Sequence, residues 1–148
     1  MHTLDELQSL YATYLNENSY KKEPISLYEP VNYILSLGGK RLRPLFSLMA
    51  FELYDNKIDK ALCIAHAVEV FHNFTLVHDD IMDKAEMRRG KLTVHSKYGV
   101  NTGILSGDVM LILAYESLLR FKVPANIPSL VHIFNQFARE VCEGQEMD

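Results

Sequence analysis

Three aspartates close an apolar, helical segment in the middle of the chain. The stretch HNFTLVHDDIMD (72–83) places Asp79 and Asp83 four positions apart, with Asp80 between them. On a helix, Asp79 and Asp83 share one face, and Asp80 lies about 100° away. Carboxylates this close favour a cation, and ligands that are all oxygen suit a hard divalent ion such as Mg²⁺. The alternative interpretation is a solvated acidic end of a helix.

Two basic clusters accompany these aspartates. RRGK occupies residues 88–91, and GGKRLRP occupies residues 38–44. A glycine turn that opens into a helix with Lys and Arg in its first turn favours an anion. Either cluster alone could be a solvated basic surface. Together with an acidic metal site, they indicate substrates that carry a diphosphate bridged by Mg²⁺. His72, on the stripe of the aspartates, either contacts substrate or is structural, whereas His66 and His78 are interpreted as structural.

The elements that must position these residues are helices. Apolar residues recur at helical spacing over six segments: 3–17, 28–37, 42–54, 58–83, 101–121 and 128–147. The 58–83 helix is apolar on most sides and should be central. Gly103 and Gly107 should let a neighbouring helix approach closely. Residues 84–100 are predicted to be a loop, and no strand is predicted. The sequence therefore predicts an all-α fold in a single domain, 1–148.

Composition narrows the class of protein. The formal net charge of −4 argues against a nucleic-acid partner. The longest apolar run, 109–115, falls far short of the roughly 20 residues of a membrane span, and the N-terminus does not have the pattern of a secretory signal. Cys63 and Cys142 lie in apolar helical patterns and are expected to be buried thiols. A cytoplasmic location is therefore expected.

Five motifs resemble those of trans-type isoprenyl diphosphate synthases, the all-α polyprenyl synthetases. In order they are GGKRLRP (38–44), HNFTLVHDDIMD (72–83), RRG (88–90), LSGD (105–108) and EGQEMD (143–148). The resemblance implies the N-terminal part of the isoprenoid synthase helical bundle. It also implies Mg²⁺-assisted ionisation of an allylic diphosphate, followed by attack of isopentenyl diphosphate on the resulting cation. A homodimer is implied as well.

The resemblance gives individual residues a role. Asp79 and Asp83 would be the main Mg²⁺ ligands, with support from Asp80. Arg88 would hold the allylic diphosphate. The site for isopentenyl diphosphate would comprise five residues: Gly39, Lys40, Arg43, His72 and Arg89.

The last motif raises the question of how much of a synthase is present. Gln145 and Asp148 match the family's pattern, and the resemblance implies that they bind substrate. Periodicity places them on one face with Phe134, so both are expected to be buried toward a cleft. Family members are longer and carry a second aspartate-rich motif that these 148 residues lack. The chain is therefore expected to be the N-terminal half of a synthase and to be inactive alone.

The residues before the aspartates bear on product length. An allylic tail running toward the start of the helix would pass Thr75 and Phe74, and each turn of about 5.4 Å approximates one isoprene unit. A bulky Phe74 beside a small Thr75, with Phe71 one turn further, resembles short-chain synthases that make a C20 product, with C15 next. The alternative is that Phe74 is simply a core residue.

Three other functions are considered. A class I terpene cyclase shares the fold and the DDxxD motif, but GGKRLRP and RRG suit a second diphosphate. The protein could also be a non-catalytic subunit that dimerises with a true synthase. The missing second aspartate-rich motif favours this alternative, and the intact metal and substrate motifs argue against it. An all-α nucleotide pyrophosphatase would need a glutamate-rich metal motif, which is not seen in the sequence.

Overall fold

The computed structural model describes residues 1–122 and 126–147, which form seven α-helices and one short β-hairpin. The helices are α1 (Leu4–Glu17), α2 (Ile25–Ser36), α3 (Leu42–Glu52), α4 (Leu62–Met82), α5 (Val94–Tyr98), α6 (Val100–Leu118) and α7 (Ile127–Met147). The all-α prediction is confirmed. No helix of this described part is long and apolar enough to cross a membrane.

Helix α4 is central because most of its faces are apolar, and α6 packs along it. Gly107 of α6 lies so close to the ring of His78 that a Cβ would overlap it. A Cβ on Gly103 would lie 3.1 Å from the Ile81 side chain. The close approach predicted from the two glycines is confirmed. His78 also lies with Nε2 3.2 Å from the Ile104 carbonyl, which agrees with a structural role.

Helices α1 and α3 pack around the first half of α4 in a second apolar cluster. A capping box between Thr3 and Glu6 begins α1. Buried His66 of α4 is held by two hydroxyl groups: that of Tyr11 lies 3.3 Å from Nδ1, and that of Tyr20 lies 3.1 Å from Nε2. Burial lowers the pKa of His66 to about 4, so the ring is neutral at pH 7.

The prediction of a plain loop over 84–100 was wrong. The segment contains α5 and a hairpin that pairs β1 (Met87–Arg88) with β2 (Lys91–Leu92). Two-residue strands are too short to produce an alternating pattern in the sequence. Arg89 and Gly90 form the turn of the hairpin, and both have positive φ, 53° and 76°, as a two-residue type I′ turn requires.

The boundaries of other helices also differ from the prediction. The predicted helix 58–83 begins as a 3₁₀ turn (Ile58–Ala61), and α4 ends at Met82 with Asp83 as its cap. Helix α2 begins three residues earlier than predicted, directly after Pro24. Helix α3 ends at Glu52 rather than at residue 54. These shifts leave the aspartates at the end of α4, where the sequence had placed them.

Helix α7 is covered only in part. Phe134 is buried, with ring centroids 5.1 Å from Tyr115 and 5.3 Å from Phe71. Gln145 is exposed, so its predicted burial was wrong, and Cys142, also expected to be buried, is exposed as well. Helical periodicity identifies the face of a helix but not whether another element covers it. Asp148, predicted on the same face, lies outside the described residues.

Candidate functional site

A basic cavity lies where the loop before α3, the middle of α4 and the hairpin meet. Its volume is about 330 Å³, and eight residues line it: Gly39, Lys40, Arg41, Leu42, Arg43, Glu69, His72 and Arg89. All five residues expected to hold isopentenyl diphosphate are among them. The geometry therefore brings together three segments that are far apart in the sequence.

The loop and the hairpin fit closely because of a glycine. Gly38 and Gly39 have φ values of 76° and 120°, which favour glycine. Arg89, at the tip of the hairpin, donates from Nη1 to the Gly38 carbonyl. A Cβ on Gly39 would lie only 2.7 Å from Cζ of Arg89. Gly39 therefore admits the Arg89 guanidinium to the cavity.

His72 orients one of the cavity's cations. Its Nε2 lies 3.1 Å from Nη1 of Arg43. Because a guanidinium can only donate, Nε2 accepts and the proton of the ring is on Nδ1. Burial, and then the charge of Arg43, lower the pKa of His72 to about 4. A neutral His72 thus directs Arg43 without adding charge of its own.

Two adjacent arginines have different partners. Arg88 donates from Nε and Nη2 to the carboxylate of Asp80, with distances of 2.8 to 3.1 Å. Asp80 is 2% exposed, and its hydrogen bond raises the pKa of Arg88. Arg89 instead faces the cavity, where burial and then the charge of Arg41 lower its pKa. One arginine fastens the hairpin to α4, and the next contributes to the cavity.

The two other aspartates stand apart from this ion pair. Asp79 is half-buried and Asp83 is exposed, and the Asp83 N–H donates to the Asp79 carbonyl at 2.8 Å. Burial, and then the charge of Asp83, raise the pKa of Asp79. No cluster of three or more possible metal ligands occurs within 1–122 and 126–147. Two carboxylates do fit Mg²⁺, which keeps waters and takes substrate phosphates as further ligands. Asp80, expected to support the metal, has its carboxylate on Arg88 instead.

The sequence matches the family model described as Polyprenyl synthetase over residues 24–148. The chain belongs to the polyprenyl synthetase family. It is 46% identical over 129 residues to a geranylgeranyl pyrophosphate synthase of Geoglobus acetivorans, covering 86% of this chain and 40% of that protein. It is 41% identical over 130 residues to a short chain isoprenyl diphosphate synthase of Methanocaldococcus jannaschii, covering 88% and 40%.

Solved structures agree with this assignment. A crystal structure of geranylgeranyl pyrophosphate synthase superposes with a TM-score of 0.96 at 52% identity, covering 100% of this chain and 45% of that one. The chain thus spans about two-fifths of the length of the curated relatives it matches.

Aromatic side chains lie one to two turns before the aspartates. Phe71 is buried, with ring centroids 5.4 Å from Phe74 and 5.3 Å from Phe137. Phe74 is half-buried, and the hydroxyl of Thr75 donates to the His72 carbonyl at 2.8 Å. The residues expected to limit product length therefore belong to a packed aromatic group that includes part of α7.

Sequence reasoning missed Arg41 and Glu69 as parts of the site. Arg41 donates to the carboxylate of Glu69 and to the Leu35 carbonyl. Charge alone could not tell which cation of GGKRLRP turns inward. A signal for Glu69 did exist, because a carboxylate in an apolar helix one turn before Asn73 predicts a buried polar pair.

Proposed function

We propose that the protein acts in prenyl transfer, binding isopentenyl diphosphate in the basic cavity for condensation with an allylic diphosphate. The observation that carries this proposal is the gathering of Lys40, Arg43 and Arg89 in one cavity around His72. Because Glu69 is paired with Arg41, three positive charges in the cavity remain for a ligand. A diphosphate supplies the matching negative charge and several acceptor oxygens.

In this mechanism, the chain's residues hold one substrate and prepare the site of the other. Arg43, directed by His72, and Arg89, directed by the Gly38 carbonyl, donate to the diphosphate of isopentenyl diphosphate. Asp79 and Asp83 would hold Mg²⁺, which, when bound, would make the allylic diphosphate a better leaving group. Asp80 acts differently from its neighbours: it fixes Arg88 at the edge of this region.

Product length is a further part of the proposal. Phe74, backed by Phe71 and flanked by Thr75, would limit the allylic tail to a C20 product, with C15 next. The names of the relatives, geranylgeranyl and short chain synthases, support this range. The packing of Phe71 against Phe74 would keep the limiting side chain in place.

Several expectations remain predictions. The 148-residue chain is predicted not to elongate substrates alone, and a cytoplasmic location is predicted from the sequence. The predicted homodimer is supported by an apolar stripe in which Leu105, Ile112 and Leu119 are 58 to 60% exposed at seven-residue spacing.

Calorimetric titration of the chain with isopentenyl diphosphate tests the proposal. Arg43→Gln should weaken binding by about 10- to 100-fold, since a charge-assisted hydrogen bond contributes about 1.5–3 kcal/mol. Arg139→Gln, on the exposed side of α7, is the control and should bind as the unmodified chain does. Equal affinities of the Arg43→Gln variant and the unmodified chain would contradict the proposal.

A further inference from the structure

Glu69 places a carboxylate in the wall of the basic cavity, where a negative charge is unexpected if the cavity binds an anion. It lines the cavity together with Lys40 and Arg43, yet only 3% of its side chain is exposed. A free carboxylate there would repel a diphosphate, and burying a charge is costly unless it is paired. Arg41 provides that pair from the loop, with 14% of its own side chain exposed.

Arg41 joins three elements. Its backbone has a φ of 49° and a ψ of 33° and forms the N-cap of α3, where its carbonyl accepts from the Leu45 N–H at 3.3 Å. Its guanidinium donates to the Leu35 carbonyl of α2 and to Glu69 of α4. The left-handed region is sterically unfavourable for a non-glycine residue. The two contacts of the guanidinium tie this strained position to α2 and α4.

Asn73 completes this arrangement. Its Nδ2 donates to the Glu69 carboxylate at 3.0 Å and to the Glu69 carbonyl at 2.8 Å. The Asn73 Oδ1, fully buried, has no partner within the described part of the chain. If the Asn73 amide were flipped, its Oδ1 would face the oxygen atoms of Glu69 and would repel them. The observed orientation keeps both hydrogen bonds to Glu69 and leaves Oδ1 as one unpaired acceptor.

We propose that Glu69 is a positioning residue: through Arg41 it holds the 38–43 loop in the conformation that presents Lys40 and Arg43 to a diphosphate. This inference rests on the proposed function of the cavity. A purely electrostatic role would depend only on the negative charge of Glu69. The positioning role also depends on the length of the side chain, because the carboxylate must reach Arg41.

Two substitutions of Glu69 separate the effect of its side-chain length from the effect of its charge. Glu69→Asp keeps the charge but shortens the side chain by one methylene, and Glu69→Gln keeps the length and an acceptor for Arg41. The first measurement is the set of backbone ¹⁵N order parameters of residues 38–43 in the ligand-free chain. Order in this loop should fall from about 0.85 to below about 0.6 in Glu69→Asp, and less in Glu69→Gln. Unchanged order parameters in α6 would show that the fold is retained.

The second measurement is the affinity for inorganic pyrophosphate, which should weaken about tenfold in Glu69→Asp and less in Glu69→Gln. Asp55→Asn, which removes the Lys60 ion pair outside the cavity, is the matched control and should change neither readout. The inference would be overturned if Glu69→Asp kept a rigid loop and bound pyrophosphate within twofold of the unmodified chain. Tighter binding of pyrophosphate by Glu69→Gln would also overturn it. If the unmodified chain binds no pyrophosphate while Glu69→Asp loosens the loop, the proposed function fails and the positioning role stands.

Discussion

The cavity and the aspartate end of α4 handle charge in different ways. In the cavity, Arg43 is held by His72, and Arg89 is held by the Gly38 carbonyl. At the aspartate end, burial and then the charge of Asp83 raise the pKa of Asp79, which disfavours the charged form of its carboxyl group. The cations of the cavity are thus oriented before a ligand arrives, whereas the proposed function requires Asp79 and Asp83 to receive a cation from outside the chain. Binding to the cavity can therefore be measured in this chain without added Mg²⁺.

The largest effect is expected where a buried carboxylate loses its partner. Arg88→Ala should destabilise the chain by about 3 kcal/mol, because Asp80 would remain buried and unpaired. Arg89→Ala, one residue along, removes an exposed side chain and should cost about 1 kcal/mol or less. Urea denaturation measures both. Equal losses would show that the two arginines do not divide their roles as described.

The next effect distinguishes His66, buried in α4, from His132, exposed on α7. His66 is buried with its pKa lowered to about 4, so it takes up its proton more readily when unfolded. Its contribution to stability is therefore present above about pH 6.5 and is lost as the pH falls toward 4, by about 3 kcal/mol in all. His66→Gln should flatten the dependence of unfolding free energy on pH in this window, and His132→Gln on exposed α7 should not. If the unfolding free energy of His66→Gln kept the same dependence on pH, the buried His66 would not be its source.

A smaller effect concerns Lys40, the one lysine among the eight residues that line the cavity. Lys40→Gln should weaken binding of isopentenyl diphosphate about tenfold, which corresponds to about 1.4 kcal/mol. Lys22→Gln, beside Tyr28 on another surface, serves as the control. Titration calorimetry at constant salt measures both affinities. A matching loss in the two variants would indicate nonspecific attraction and not a site.

The smallest effect is expected at the aspartate end. In buffer containing EDTA, Asp83→Asn should stabilise the chain by a few tenths of a kcal/mol. The substitution relieves repulsion from Asp79 and removes an unfavourable charge at the C-terminus of α4. The midpoint of urea denaturation checks this expectation. A destabilised Asp83→Asn variant would mean that its carboxylate already has a favourable partner in the protein.

Much of this architecture was predictable because periodicity and glycine spacing act locally. The central position of α4 followed from the apolar pattern, and the close contact at Gly107 followed from the spacing of the two glycines. The left-handed backbone of Arg41 has no comparable signal, since it depends on a carboxylate 28 residues away. The hairpin was missed because strands of two residues carry no period.

Most members of the site were predictable from the sequence, but their partners were not. Motif resemblance gave five of the eight residues that line the cavity, and the fold brings those five together. It could not show that Asp80 is bound to Arg88, because three neighbouring aspartates look alike in sequence. The exposure of Gln145 likewise depends on what covers α7, which periodicity does not reveal.

A crystal structure of the chain with isopentenyl diphosphate in the absence of metal would show directly whether the basic cavity binds the diphosphate. We expect the diphosphate in the cavity, within hydrogen-bond distance of Lys40, Arg43 and Arg89. We also expect the Arg41–Glu69 pair to remain in place. A diphosphate bound away from these residues, or Arg41 released from Glu69 to bind it, would show that the proposed site is wrong.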